Sequence, residues 1–118
     1  MHLFDEPKID CHPHVLDPQR FPYAANVSYR PAGQEIAPAT QFDAVMQTYG
    51  VRHALLVQPN SGYERDNSCM LDAIARGEGR LKGISIVDLD VDTAMLKTLK
   101  AQGIVGAALN PTSHVSRQ

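Results

Sequence analysis

The feature that most constrains this chain is a rhythm. Four short apolar runs alternate with segments of helical periodicity. The runs are Lys8-Ile9-Asp10-Cys11-His12, His53-Ala54-Leu55-Leu56-Val57-Gln58, Leu81-Lys82-Gly83-Ile84-Ser85-Ile86-Val87 and Ile104-Val105-Gly106-Ala107-Ala108-Leu109-Asn110. Near-continuous apolar runs are the pattern of strands covered on both faces. Regular strand–helix alternation implies parallel strands joined by right-handed crossovers.

The segments between the runs carry start and stop signals. Phe42, Val45, Met46 and Tyr49 recur at i, i+3, i+4 and i+7 and share one helix face. Thr40 is the expected cap, with Asp43 completing a capping box and Gly50 as the stop. A second helix is expected from Asp66 or Asn67, with Met70, Leu71, Ile74 and Ala75 on one side and a stop at Gly77. A third begins near Asp90 or Asp92, buries Met95, Leu96 and Leu99, and stops at Gly103.

One stretch breaks the rhythm. Residues 13–39 hold Pro18, Pro22, Pro31 and Pro38 and no sustained period. Connections this long are usually functional or disordered. Tyr23 and Tyr29 within it argue for an ordered loop that packs on something.

Four parallel strands cannot close a barrel, which takes eight and typically about 250 residues. The chain has 118. The polar stretch 111–118 shows no helix pattern after the fourth run. The fold expectation is therefore α/β: about four βα units forming the first half of a TIM-like (β/α)8 barrel, one partial domain over 1–118. Its two strand edges would be open to self-association.

Composition removes several alternatives. The net charge is −2 with no basic run, which opposes a nucleic-acid partner. No apolar stretch reaches the roughly 20 residues of a membrane span. Met1 to Pro7 lack the basic start and apolar core of a secretory signal, so the expected location is cytoplasmic. Two cysteines, Cys11 and Cys69, read as reduced, buried thiols rather than a disulfide scaffold. A Gly-rich phosphate loop after the first run is absent, which opposes a doubly wound nucleotide-binding domain.

The chemistry is concentrated in Asp10-Cys11-His12-Pro13-His14, at the end of the first run. Strand alternation puts His12, His14 and Asp10 on one side and turns Ile9 and Cys11 toward the helices. Two imidazoles so placed can reach one divalent cation, which needs further ligands from elsewhere. A chance pair of histidines is the competing account. The position at a strand's C-terminal end, where parallel barrels keep catalytic groups, favours a site. The pairing of Cys11 with His14 as half a structural zinc site finds no second pair.

These residues resemble the Asp-x-His-x-His signature of the amidohydrolase-related family. The loop with Tyr23 and Tyr29 is similar to the long first loop of its 2-pyrone-4,6-dicarboxylate lactonase subgroup. So are Val57-Gln58-Pro59-Asn60-Ser61-Gly62-Tyr63, followed by Asp66-Asn67 and Leu71-Asp72-Ala73, and the stretch Gly103 to Asn110. The resemblance implies a distorted eight-stranded barrel. It implies hydrolysis of a C–O or C–N bond, or decarboxylation, on a small carboxylated substrate such as a lactone. It makes His12 and His14 catalytic residues. They would hold a divalent metal, zinc or manganese, or contact substrate without metal. A further histidine and a late aspartate of the family have no counterpart here.

Gln58, Asn60, Ser61 and Asn110, at the ends of the second and fourth runs, are candidate substrate contacts. So are Tyr23 and Tyr29. For each, a turn, a cap or loop packing is the plainer role. His2, His53 and His114 are read as structural or terminal. The competing function is a non-catalytic open half-barrel that binds a ligand or pairs with another half.

Overall fold

The computed structural model describes residues 2–109. Asn110, His114 and the stretch 111–118 lie outside the described residues. The elements run β1 (Lys8–Asp10), a 3-10 turn (Gly33–Glu35), α1 (Ala39–Tyr49), β2 (Val51–Val57), α2 (Ser68–Arg76), β3 (Leu81–Ile86), α3 (Thr93–Ala101) and β4 (Ile104–Ala108). The four strands form one sheet in the order β1-β2-β3-β4, all parallel. The βα rhythm of the sequence is therefore the architecture, and strand neighbours in space are neighbours in sequence.

The helices pack chiefly on the strand that follows each of them. The core lies between these helices and one face of the sheet. It gathers Leu56, Met70, Ala73, Ile74, Leu81, Leu99 and Ile104, all at or below 9% exposure. Gly83 sits at its centre. A Cβ there would lie 2.8 Å from Ile104 Cδ1 and 3.0 Å from both Ile74 Cδ1 and Met70 Sδ. The missing side chain is what lets α2 approach β3, because overpacked positions cost about 1–3 kcal/mol.

Helix boundaries follow the sequence signals with two corrections. Gly50 closes α1 in the left-handed conformation, and Asp92 caps α3 by accepting from Met95 N at 2.7 Å. Thr40, however, is not a cap. Pro38 occupies that position with φ −60° and ψ 157°, and no side chain caps the helix. Proline presets the entry, so the helix begins early and Thr40 falls inside its first turn. Asp43 instead accepts from Gln47 Nε2 at 2.7 Å and from Arg80 Nη1 at 3.1 Å. The second correction is in α3, where Leu99 is buried but Met95 and Leu96 are 52% and 41% exposed. That helix packs chiefly on β4, an edge of the described sheet, and Leu99 is its buried residue.

The first strand is shorter than expected. It ends at Asp10, whose Oδ1 accepts from His12 N at 3.1 Å and folds the backbone into a bend. Local carboxylate-to-backbone bonds of this kind compete with strand ladders. The chain then rejoins β2, where Val57 N donates to Pro13 O at 2.9 Å. Ile9 and Cys11, expected against the helices, are both exposed. Cys69 is buried in α2, and burial pushes its thiol upward. Among the described residues β1 and β4 are the sheet edges, with Ile9, Val105 and Leu109 exposed beside them. Among those residues no helix is long and apolar enough to cross a membrane.

The long connection is ordered through its own contacts. Leu16 and Ala37 exchange both backbone bonds at 3.0 Å as an isolated antiparallel bridge. Val15 and Leu16 enter the core.

Candidate functional site

An open cavity of about 580 Å³ lies at the C-terminal ends of the strands. It is lined by His12, His14, Tyr29, Gln58, Asn60 and Ser61, with Leu16, Val57, Ile86 and Ala108 as its apolar floor. The structure thus brings six of the sequence-predicted residues to one concavity. Two stand outside that group: Tyr23 does not line it, and Asn110 lies beyond the described residues.

The bend at Asp10 and the return at Pro13 set the two imidazoles. Their ring centroids are 5.3 Å apart and their planes make 79°. His14 Nδ1 is 2.7 Å from Val57 O. A carbonyl oxygen only accepts, so Nδ1 carries the proton, and in that tautomer the ring's acceptor lone pair is on Nε2. Orientation of one ring nitrogen by a backbone carbonyl is the usual support for a ligating or polarising histidine. Both rings are exposed, as a site open to ligand requires.

Two imidazoles fit as part of a divalent-metal shell, which needs at least a third protein ligand. Among the described residues no group of three or more His, Cys, Asp or Glu is gathered for that purpose. His12 and His14 can therefore hold two corners of such a shell and no more. His53 lies in a separate groove at the other end of β2, with Arg52 and Arg80, as expected of a residue at the barrel's stability face.

The loop after β2 forms the opposite wall. Gln58 is 4% exposed, and its Nε2 donates to Glu64 O at 2.9 Å and Asp66 O at 2.7 Å. Its amide nitrogen is spent on bracing that loop, so it supports Asn60 and Ser61 rather than offering a donor to a ligand. Tyr23 is similarly committed, donating to Pro31 O at 2.7 Å.

Tyr63 is the residue that sequence reasoning missed. It is 1% exposed. Its hydroxyl accepts from Asp17 N at 3.1 Å and donates to Phe21 O at 2.7 Å, tying the long first loop to the second. Burial pushes its phenol upward. Its ring meets Tyr23 at 5.2 Å. Gly62 makes the junction possible: a Cβ at its φ of +76° would sit 2.7 Å from the Tyr23 ring. Its N–H donates to Tyr29 O, and its carbonyl accepts from Ala24 N, both at 2.9 Å. No sequence signal distinguishes such a tyrosine from any other apolar loop residue. Tyr63→Phe takes the hydroxyl partner from one buried and one part-buried backbone group, so thermal or urea unfolding is expected to show a loss of about 1–3 kcal/mol.

The family model described as amidohydrolase matches residues 9–118. The chain belongs to the amidohydrolase family. Over 105 residues it is 34% identical to a 4-sulfomuconolactone hydrolase of Hydrogenophaga intermedia, covering 86% of this chain and 33% of that protein. A 2-pyrone-4,6-dicarboxylate hydrolase of Comamonas testosteroni is 29% identical over 103 residues, covering 86% and 32%. Among solved structures, a probable 2-pyrone-4,6-dicarboxylic acid hydrolase of Acinetobacter baumannii with citric acid bound superimposes with a TM-score of 0.72. It is 35% identical, covering 85% of this chain and 36% of that one. The chain thus spans about a third of the length of the relatives it matches, and its parallel sheet with flanking helices is consistent with part of a barrel of this family.

Proposed function

We propose that this amidohydrolase chain carries the carbonyl-polarising part of a hydrolase that opens a small carboxylated lactone. The observation that carries the proposal is the pair of imidazoles at the strand mouth, 5.3 Å apart, with His14 held by the Val57 carbonyl. The names of the relatives, hydrolases of sulfomuconolactone and of pyrone dicarboxylate, support a lactone as the substrate class. Hydrolysis of a C–N bond, or decarboxylation, is the less supported chemistry.

His12 and His14 orient the scissile carbonyl, either directly or by holding a divalent cation such as zinc or manganese. When bound, that cation supplies Lewis-acid polarisation of the carbonyl. Asn60 and Ser61 hydrogen-bond substrate oxygens from the loop after β2, and Tyr29 closes the mouth. The apolar floor of Leu16, Val57, Ile86 and Ala108 excludes water beneath the ring. Asn110 is a further substrate contact in this proposal.

Ligand titration of the chain tests the site directly. Citrate, a tricarboxylate, is expected to shift the NMR signals of His12, His14, Asn60 and Ser61 and to leave His53 unmoved. Shifts confined to His53 and its neighbours Arg52 and Arg80, or no shifts at all, would overturn the assignment.

A further inference from the structure

Tyr29 enters the cavity wall from a loop, yet its position is set by a specific clamp. Its hydroxyl donates to Glu35, 2.7 Å from Oε1 and 2.9 Å from Oε2. Glu35 Oε2 also accepts from Ala32 N at 3.0 Å. One carboxylate therefore ties the phenol to the backbone that leads into the Gly33–Glu35 turn. On the other side, Gly62 N donates to Tyr29 O, anchoring the same residue's backbone to the loop after β2. Tyr29 is held at both ends, although the residue is 54% exposed.

A half-exposed tyrosine on a proline-rich loop would otherwise sample several rotamers, and a site that leaves such ordering until the ligand arrives loses affinity to it. We propose that Glu35 is the positioning residue of this site: it fixes the Tyr29 ring and oxygen at the cavity mouth before ligand enters. The inference rests on the proposed ligand site and assigns to Glu35 no contact with substrate. It has an electrostatic signature as well. The hydrogen bond to Glu35 raises the Tyr29 phenol above the ordinary tyrosine range, and the same bond, with the Ala32 amide, lowers the Glu35 carboxyl.

The test uses the full chain with 13C-labelled tyrosine, in wild type, Glu35→Ala, Glu35→Gln and Tyr29→Phe, the last assigning the Tyr29 signal. In wild type the Tyr29 ring shows NOEs to cavity side chains. In Glu35→Ala those NOEs are lost and the Tyr29 phenol titrates back toward the ordinary value, while Tyr63 is unmoved and Tyr23, raised first by burial and only then by the Glu35 charge, moves less than Tyr29. In Glu35→Gln the amide oxygen still accepts the phenol, so the NOEs persist. For citrate, Glu35→Ala raises Kd about three- to tenfold, the range of one net hydrogen bond. In the Tyr29→Phe background the same change has no further effect, as expected of two residues acting as one unit.

Absence of the NOEs in wild type overturns the inference, as does their survival in Glu35→Ala. So does an additive effect of Glu35→Ala on citrate binding in the Tyr29→Phe background. Should citrate leave His12 and His14 unshifted while the Tyr29 readouts respond to Glu35, the ligand site fails and the clamp stands.

Discussion

His12→Ala, in a catalytically active polypeptide that contains this chain, is expected to lower kcat and kcat/KM for a carboxylated lactone together by about 10²–10⁴-fold. That is the range for losing a positioned group that acts on the reacting centre. The expectation follows from where the side chain sits. Its ring shares the cavity mouth with His14, and neither ring is buried in the core, so truncation removes chemistry without removing packing. His14→Ala is expected to fall in the same range, because the Val57 carbonyl holds its Nε2 in the productive tautomer. An interaction made with the carbonyl as charge develops affects kcat, whereas a mere binding contact would raise KM alone. Steady-state kinetics with a matched unfolding curve separate the two. Rates within a fewfold of wild type would remove His12 from the mechanism.

The second large effect concerns the chain by itself. Purified at 118 residues, with or without added zinc or manganese, it is expected to show no measurable lactone turnover. Water needs a base to attack a polarised carbonyl. Yet among the described residues the lining of the cavity contains no carboxylate, and no third metal ligand is gathered. Asp10 is the nearest acidic residue in sequence to the imidazoles, but its carboxylate is engaged by the His12 amide. The assay is loss of lactone followed spectroscopically against a buffer blank. Turnover by the isolated chain that His12→Ala abolishes would show that these residues are sufficient, and that the missing base has been misjudged.

The two histidines were legible because a strand's end and a His-x-His spacing are both local properties of the chain. Even so, the route was not the one alternation implies. Strand parity was meant to carry His12 and His14 to one side, but β1 stops at Asp10 and a bend intervenes. The rings meet because the chain returns to β2 at Pro13 and because Val57 O claims one nitrogen of His14. Asn60, Ser61 and Tyr29 line the cavity, while Gln58 and Tyr23 spend their donors on loop carbonyls. Whether a polar loop residue faces a ligand or a neighbouring carbonyl depends on groups far away in sequence, and residue type does not record it.

What the sequence alone determined is the order of elements and their parallel sense, because hydrophobic period, caps and glycine stops act over a few residues. Near-continuous apolar runs and the stops at Gly50 and Gly77 suffice for that. Tertiary structure decided which of these residues are covered and which donors remain free. Met95 and Leu96 carry a core pattern but lie exposed on a helix that packs chiefly on an edge strand of the described sheet, and Tyr63 binds two loops through contacts more than 40 residues away. The reason is that burial and hydrogen-bond pairing are set by whichever surfaces meet in space, and a one-dimensional pattern can specify a face without specifying what will cover it.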